Sequence, residues 1–205
     1  MVLDASSHMK GELSLNQCVH PGPSTLKPFL GILLRAQMKK YILTADIAKA
    51  FHQIRLQEQD RDCTRFIWLK DVSKGPTPGN FITYRFTRIP FGISCSPFLL
   101  AASIITYLER FPSEINSRIL QDLYVDNTVF TTNDENELEK LYEQSKQMFK
   151  DNMFMNLREY QTNSETVTNF IPEQDRAPNK PNKFLGHMLD YKHDTLTIHI
   201  PTPPK

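Results

Sequence analysis

The chain has 205 residues, of which 40% are hydrophobic and 23% charged, and its formal net charge is +1. This length suits one compact domain, and this composition is that of a globular chain, which excludes a disordered tail. Three cysteines without a CxxC pair argue against a disulfide framework or a zinc knuckle. The sequence has no apolar run long enough to span a bilayer and no secretion leader, so we expect no membrane partner and no secretion.

The first part of the chain is predicted to alternate loops with short elements. Positions 1–30 are irregular, with turn signals at Pro21, Gly22, Pro23 and Pro28, and an apolar stretch predicts a helix over 31–38. Residues 41–46 form an apolar run that ends on an acid, which predicts a buried strand. Two further strands are predicted at 66–69 and 81–86, on either side of a loop rich in glycine and proline.

The second part is predicted to contain a helix, a hairpin, a second helix and further strands. Pro97 can open the first helix, and Asp126-Asn127 is a credible two-residue hairpin turn. Asn133 or Asp134 is a suitable N-cap for the second helix. The predicted elements are a helix from 97 to about 109, strands 119–125 and 128–132, a helix 138–149, a strand 153–158 and a final hairpin of 184–189 and 195–200.

From residue 41 onward, the predicted order of elements is strand, helix, strand, strand, helix, strand. This order is typical of a ferredoxin-like split βαβ sheet, which is antiparallel and carries helices on one face. The sequence therefore predicts the α+β fold class.

Two acids lie where predicted strands stop, Asp46 after the first strand and Asp126 inside the hairpin. Taken alone, each is more often a turn former than a ligand. In a split βαβ sheet, however, the two strand ends can be neighbours, and two adjacent carboxylates repel each other unless a cation is present. Mg²⁺ prefers such oxygen ligands, and two ions about 4 Å apart can activate a hydroxyl and stabilise a leaving phosphate.

Three segments surround these acids in a recognisable order. They read TADIAKAF over 44–51, RIPFGISCSP over 88–97 and LYVDN over 123–127. With these segments the chain resembles reverse transcriptases of the BEL/Pao group of long-terminal-repeat retrotransposons. Further similar stretches are LDASS over 3–7, GELSLN over 11–16, MNLRE over 155–159 and KFLG over 183–186. The resemblance covers nearly the whole chain.

The resemblance implies an RNA-directed DNA polymerase that adds deoxynucleotides to a primer 3′-hydroxyl with two Mg²⁺ or Mn²⁺ ions. Its implied partners are an RNA or DNA template with its primer, and deoxynucleoside triphosphates. Its implied location is the cytoplasm or an intracellular particle. The polymerase palm would occupy 41–54 and 96–182, with fingers-like parts at 1–40 and 55–95 and a primer-grip hairpin at 183–200.

The resemblance also implies roles for residues of the metal site. Asp46 and Asp126 would be the metal ligands, with Asn127 beside them as the third catalytic position. Reverse transcriptases most often carry a second acid at that third position, so this chain would have two formal negative charges there and bind metal more weakly. Tyr124 would contact the primer end, although a strand aromatic that packs on its neighbours is an equal reading.

The remaining implied roles concern the substrate. Phe51, with Ala50 before it, would lie under the sugar of the incoming nucleotide and exclude a 2′-hydroxyl. Phe91 and Gly92 would line the pocket under the nucleotide, where glycine allows a close backbone approach. The primer grip would contain Phe184, Leu185 and Gly186.

Two other interpretations stay open. The chain could be an inactive retrotransposon remnant that at most binds nucleic acid, because Asn127 replaces an acid and because the fingers strands, the thumb and an RNase H segment of the polyprotein are expected to be missing. It could also be an unrelated ferredoxin-like domain that binds RNA on its sheet, which predicts exposed aromatic residues on the sheet face.

Overall fold

The computed structural model describes residues 3–178, 183–184, 187–190 and 195–197. The chain divides into two compact units, one formed by Met1–Thr25 with Lys49–Ile104 and the other by Leu26–Ala48 with Ile105–Lys205. The helices are α1 (Leu15–Cys18), α2 (Phe29–Gln37), α3 (Ala50–Gln53), α4 (Ser96–Arg110), α5 (Glu114–Asp122), α6 (Glu135–Gln147) and α7 (Glu165–Phe170). The strands are β1 (Tyr41–Ile47), β2 (Arg65–Leu69), β3 (Phe81–Arg85), β4 (Asn127–Thr132), β5 (Leu157–Thr162), β6 (Lys183–Phe184), β7 (His187–Asp190) and β8 (Thr195–Thr197).

The second unit is built on a three-stranded antiparallel sheet in the order β4-β1-β5. Its central strand β1 is paired with a strand on each edge, and most of its side chains are buried, which accounts for its apolar sequence. Leu43, Ala45 and Ile47 are at most 2% exposed. Strands β6, β7 and β8 form a separate antiparallel sheet. Antiparallel sheets combined with helices confirm the predicted α+β fold class.

Helix α6 supplies much of the core of the second unit. Asp134 is its N-cap and accepts a hydrogen bond from the backbone N–H of Asn136, which confirms one of the two predicted caps. Leu138, Leu141 and Ser145 recur every three or four residues and are buried. This stripe packs α6 onto all three strands of the sheet.

A buried polar network ties the end of α6 to the segment after β5. The Tyr142 hydroxyl donates to Asp175 Oδ2 at 2.9 Å, and Lys146 Nζ donates to Asp175 Oδ1 at 2.6 Å. The hydroxyls of Ser145 and Tyr160 share a further hydrogen bond at 2.9 Å. Because the Asp175 carboxylate is buried, its charge depends on these donors.

We expect Tyr142→Phe to lower the free energy of unfolding by about 2 kcal/mol, because it removes a hydrogen bond to a buried charged group. Urea unfolding measures this loss. Tyr107→Phe is the matched control, since it removes the same hydroxyl group from a half-buried tyrosine of α4. Equal losses in the two variants would contradict a stabilising role for the Asp175 network.

The predicted strand at 119–125 is wrong, because residues Glu114–Asp122 form helix α5. Ser113 caps this helix by accepting a hydrogen bond from the N–H of Asn116. The buried positions Asn116 and Ile119 are three residues apart and follow the helical period. The predicted order of elements therefore has one strand too many, since helix α5 leads directly into the turn before β4.

Two boundaries also differ from the prediction. Tyr124 and Asn127 exchange backbone hydrogen bonds at 2.9 Å in both directions, so the central turn residues are Val125 and Asp126. The turn thus lies one residue earlier than predicted. The strand predicted at 153–158 is instead β5, which begins at Leu157, later in the chain than its apolar start suggested.

The first unit contains the β2–β3 hairpin. Its loop is held by Asn80, whose amide donates to the carbonyl oxygens of Asp71 and Gly75 and accepts from the Asp71 N–H. The hairpin exposes apolar side chains, namely Ile67, Trp68, Phe81, Ile82 and Tyr84. In the part of the chain that the structure describes, no helix combines the length and the apolar character needed to cross a membrane.

Candidate functional site

Asp46 lies near the end of the central strand of the second unit. It is paired with Asn127 of β4 on one side and with Arg158 of β5 on the other. Side chains alternate between the faces of a strand, so Asp46 shares its face with Ile42. Ile42 is covered there by Ile32 of α2. At the other end of β1, the same face carries the half-buried carboxylate of Asp46.

Asp126 is held beside β1 by its backbone. Its carbonyl oxygen accepts a hydrogen bond from the N–H of Ile47 at 2.9 Å, so the turn is fixed to the strand that carries Asp46. Val125, before it, has a φ of +57°, which is unusual for a β-branched residue. Helix α5, which leads into the turn, is anchored at its end by an ion pair of 2.6 Å between Arg35 and the buried Asp122.

A bulge in β5 lies next to Asp46. Thr44 pairs with Gln161 and Asp46 pairs with Arg158, so two steps along β1 face three along β5. Glu159 lies inside this bulge with a φ of +54° and forms an ion pair with Arg158 at 3.1 Å. No role was predicted for Glu159, which ends the MNLRE stretch and lies one residue beyond the strand predicted at 153–158.

The carboxylates repel each other in the absence of a cation. Burial, followed by the negative charges of Asp126 and Glu159, raises the pKa of Asp46 to about 6, and the charge of Arg158 opposes this. Burial also raises the pKa of Asp126, against a hydrogen bond that Asn127 Nδ2 donates to Asp126 Oδ1 at 3.0 Å. The Asn127 amide thus stabilises the ionised form of its neighbour.

We expect the Asp46 carboxyl to make the metal-free chain less stable as the pH rises from about 4 to about 6. In this range folded Asp46 holds a proton that the unfolded chain, with an ordinary pKa of 3.8, has released, so the folded state binds more protons. Asp46→Asn should therefore raise the free energy of unfolding at pH 7 by on the order of 1 kcal/mol, after allowance for the partial exposure of the group.

Urea unfolding at pH 4 and pH 7, with divalent cations removed, measures this difference. Asp60→Asn makes the same substitution at an exposed position and should change neither value. An Asp46→Asn chain that is no more stable than the wild type at pH 7 would contradict the raised pKa of Asp46.

The carboxylate pair suits a hard divalent cation. Mg²⁺ commonly takes one or two protein carboxylates and completes its shell with water and substrate phosphates. Asp46 and Asp126 offer two carboxylates on adjacent backbone segments. Burial raises the pKa of both, and a bound cation would favour their ionised forms. Among the described residues, no group of three or more His, Cys, Asp or Glu side chains is arranged to hold a metal ion, so Glu159 is not counted as a ligand.

In the first unit, the structure brings Phe51 and Phe91 together. Their rings meet edge to face with centroids 4.8 Å apart, a favourable aromatic geometry. The His52 ring lies 5.3 Å from the same Phe91 ring. Phe91 is 38% exposed and Phe51 is half-buried, whereas Ala50 is buried at the start of α3. Phe51 and Phe91 thus present a shared aromatic surface.

Gly92 is required by the backbone of the same loop. Its φ is +102°, and a Cβ atom built there would lie 1.8 Å from the carbonyl oxygen of Leu3. The Leu3 N–H in turn donates to the Phe91 carbonyl oxygen at 2.9 Å. A residue with a side chain at position 92 would therefore separate these two segments.

The other predicted site residues are placed as follows. Tyr124 packs against a buried cluster formed by Ile32 of α2, Ile42 of β1 and Val129 of β4, and its contact with the primer end stays a prediction. Phe184 pairs with His187 in the β6–β7 hairpin, whereas Leu185 and Gly186 lie outside the described residues.

The sequence of residues 8–189 matches the family model described as Reverse transcriptase (RNA-dependent DNA polymerase). The chain belongs to the reverse transcriptase family. This confirms the resemblance at the level of the family, and the BEL/Pao subgroup stays a prediction. A curated relative, the Retrovirus-related Pol polyprotein from transposon 412 of Drosophila melanogaster, is 41% identical over 58 residues, which are 28% of this reverse transcriptase chain and 4% of the relative.

Solved structures were found that are similar to this reverse transcriptase chain. A foamy viral protease-reverse transcriptase in complex with double-stranded DNA shares its fold, with a TM-score of 0.52 and 24% identity over 73% of this chain. A second foamy viral structure, in complex with an RNA/DNA hybrid, has a TM-score of 0.45 and 24% identity over 62% of this chain. The chain spans 22% and 15% of these two proteins.

Proposed function

We propose that this chain is the catalytic core of an RNA-directed DNA polymerase from a BEL/Pao-type retrotransposon polyprotein. The observation that carries the proposal is the position of Asp46 beside the Val125-Asp126 turn, in a chain of the reverse transcriptase family. Its substrates are deoxynucleoside triphosphates and a primer on an RNA or DNA template. The fingers, thumb and RNase H segments of the same polyprotein are its proposed partners.

Asp46 and Asp126 are the proposed ligands of two Mg²⁺ or Mn²⁺ ions, with Asn127 beside them. When bound, these ions supply the charge that acidifies a primer 3′-hydroxyl and offsets the negative charge of the triphosphate. The two side chains would act by fixing the position of reacting groups, which is the main source of catalysis in phosphoryl transfer. The half-buried surroundings strengthen this effect, since charges interact more strongly away from water.

The aromatic surface of Phe51 and Phe91 is the proposed site of the nucleotide sugar, with Ala50 and Gly92 shaping the backbone around it. Phe51 would exclude a 2′-hydroxyl by its bulk. Tyr124 is the proposed neighbour of the primer end, and residues 184–186 are the proposed primer grip. Residues 41–54 and 96–182 are the proposed palm, and 1–40 and 55–95 are the proposed fingers-like parts.

Primer extension on an RNA template tests the proposal. The primer is supplied with one deoxynucleotide at a time, in Mg²⁺ or Mn²⁺ and in EDTA. We expect addition of the complementary nucleotide only, and only with metal. No addition with either metal would contradict polymerase activity of the chain and favour an inactive remnant. Addition without regard to the template would contradict template-directed synthesis.

Asn127 is the feature that favours the remnant, because an amide brings no negative charge to the site. We expect Asn127→Asp to lower the Mg²⁺ concentration at which extension is half-maximal, since it adds a third formal charge. It should also make the metal-free chain less stable, because it replaces the hydrogen bond to Asp126 with a repulsion. Metal titration of extension and urea unfolding in EDTA measure the two effects. Tighter metal binding without a loss of stability in EDTA, or the reverse, would contradict this role of the amide.

A further inference from the structure

The side chain of Asn16 holds the loop that carries Phe91 and Gly92. Asn16 Nδ2 donates to the Gly92 carbonyl oxygen at 3.0 Å, and Asn16 Oδ1 accepts from the backbone N–H of Ser94 at 2.8 Å. The same Nδ2 donates to Ser6 Oγ at 3.0 Å. One amide therefore satisfies a donor and an acceptor of the loop on either side of Ile93.

This double contact requires the chemistry of an amide. The loop offers a carbonyl oxygen at Gly92 and an N–H at Ser94, so the partner must donate and accept at once. A carboxylate of the same shape can accept from Ser94 but cannot donate to Gly92, and its charge would repel the Gly92 carbonyl oxygen. Asparagine can therefore make both hydrogen bonds with the loop, whereas aspartate can make only one.

Asn16 is itself rigidly placed. It lies in α1, whose capping box joins Ser14 and Gln17 by two reciprocal hydrogen bonds. Its backbone N–H donates to the carbonyl oxygen of the buried Ala5 at 2.9 Å. Because Leu3 donates to Phe91, the segment from Leu3 to Ala5 connects α1 with the loop by backbone bonds as well. These hydrogen bonds fix the backbone that carries the Asn16 amide.

We propose that Asn16 is a positioning residue that sets the place of the Phe91 ring and, through the edge-to-face contact, of the Phe51 ring. This inference rests on the proposed function, in which these two rings form the sugar site. Loss of the amide contact would let the 91–94 loop shift, so that the nucleotide binds more weakly and a 2′-hydroxyl is excluded less well. Asp46 and Asp126 are untouched, so the rate at saturating nucleotide would be maintained.

Single-nucleotide extension tests this with Asn16→Asp and Asn16→Ala. We expect KM for the complementary deoxynucleotide to rise about tenfold, the effect of losing one or two hydrogen bonds, with kcat little changed. The preference for deoxynucleotide over ribonucleotide, measured as the ratio of kcat/KM values, should fall in both variants. Ser6→Ala removes the contact that does not reach the loop and should alter neither quantity. Asn136→Ala, on an exposed turn of α6, is the matched control for removal of an amide.

Hydrogen exchange by mass spectrometry provides a readout that does not depend on catalysis. The peptide that contains Ser94 should exchange faster in Asn16→Asp than in the wild type, with exchange elsewhere in the chain unchanged. Asn16→Asp preserves volume, so it remains a test if Asn16→Ala fails to fold. Faster exchange throughout the Asn16→Asp chain would overturn the inference, since Asn16 would then support the fold as a whole.

The kinetic outcomes separate this inference from the proposed function. Wild-type extension with unchanged KM and unchanged sugar preference in Asn16→Asp would overturn the role of Asn16 alone. A fall in kcat with KM unchanged would also overturn it. A wild-type chain without templated extension would overturn the proposed function and this inference together.

Discussion

Asp126→Asn is expected to reduce the rate of primer extension about 1000-fold. The substitution keeps the size of the side chain and removes one of the two proposed ligand charges. Charge stabilisation by a bound metal contributes several kcal/mol to a transition state, and about 4 kcal/mol corresponds to this factor. Single-turnover extension with saturating nucleotide measures the rate.

The same variant should fold at least as well as the wild type. Burial raises the pKa of Asp126, so the folded metal-free chain gains by losing this charge. Asp134→Asn is the matched control, because asparagine caps a helix as well as aspartate does and the residue is exposed at the start of α6. An Asp126→Asn chain that extends primers at the wild-type rate would contradict the assignment of Asp126 as a metal ligand. An Asp126→Asn chain that is less stable than the wild type would contradict the raised pKa of Asp126.

Gly92→Ala is expected to lower the free energy of unfolding by about 3 kcal/mol. A left-handed backbone costs a residue with a side chain about 1 to 2 kcal/mol, and loss of the backbone bond between Leu3 and Phe91 adds about 1 kcal/mol. The clash with the Leu3 carbonyl oxygen forces that separation, because the obstructing atom belongs to the backbone. Urea unfolding measures the loss.

Gly79→Ala separates strain from collision. Gly79 has a φ of +81°, and a methyl group added there would meet nothing within 4 Å, so its substitution carries only the backbone cost. We expect the loss in Gly92→Ala to exceed the loss in Gly79→Ala by roughly 1 kcal/mol, the contribution of the broken backbone bond. Equal losses would show that the Leu3 segment moves freely and would contradict the close approach at Gly92. In extension assays Gly92→Ala should also raise KM for the nucleotide.

The strands and helices that sequence analysis predicted well are those with local signals. Strand β1 is a continuous apolar run, and α6 has an N-cap with a regular apolar stripe. The segment 119–125 was misassigned because Ile119, Leu120, Leu123 and Val125 fit both a strand and a buried helix. The cap at Ser113 and the buried Asn116 decide for the helix, and the burial of Asn116 is evident only from the fold.

The functional site also contains residues that local sequence signals identify and residues that only the fold identifies. The two acids could be selected because they end apolar runs, and their positions beside each other follow from the antiparallel pairing of β1 with β4. The roles of Glu159 and Asn16 depend on contacts between segments far apart in sequence. The β5 bulge brings Glu159 toward Asp46, and the amide of Asn16 spans 76 residues to reach Gly92. No local pattern encodes either contact.

Metal binding by the carboxylate pair underlies every proposed step of the reaction. Titration of the chain with Mn²⁺, followed by the electron paramagnetic resonance signal of the free ion, tests it without nucleic acid or nucleotide. We expect the wild type to deplete free Mn²⁺, Asn127→Asp to deplete it more strongly, and the double variant Asp46→Asn, Asp126→Asn to leave the signal at the level of buffer. Equal depletion by the wild type and the double variant would contradict a metal centre at Asp46 and Asp126.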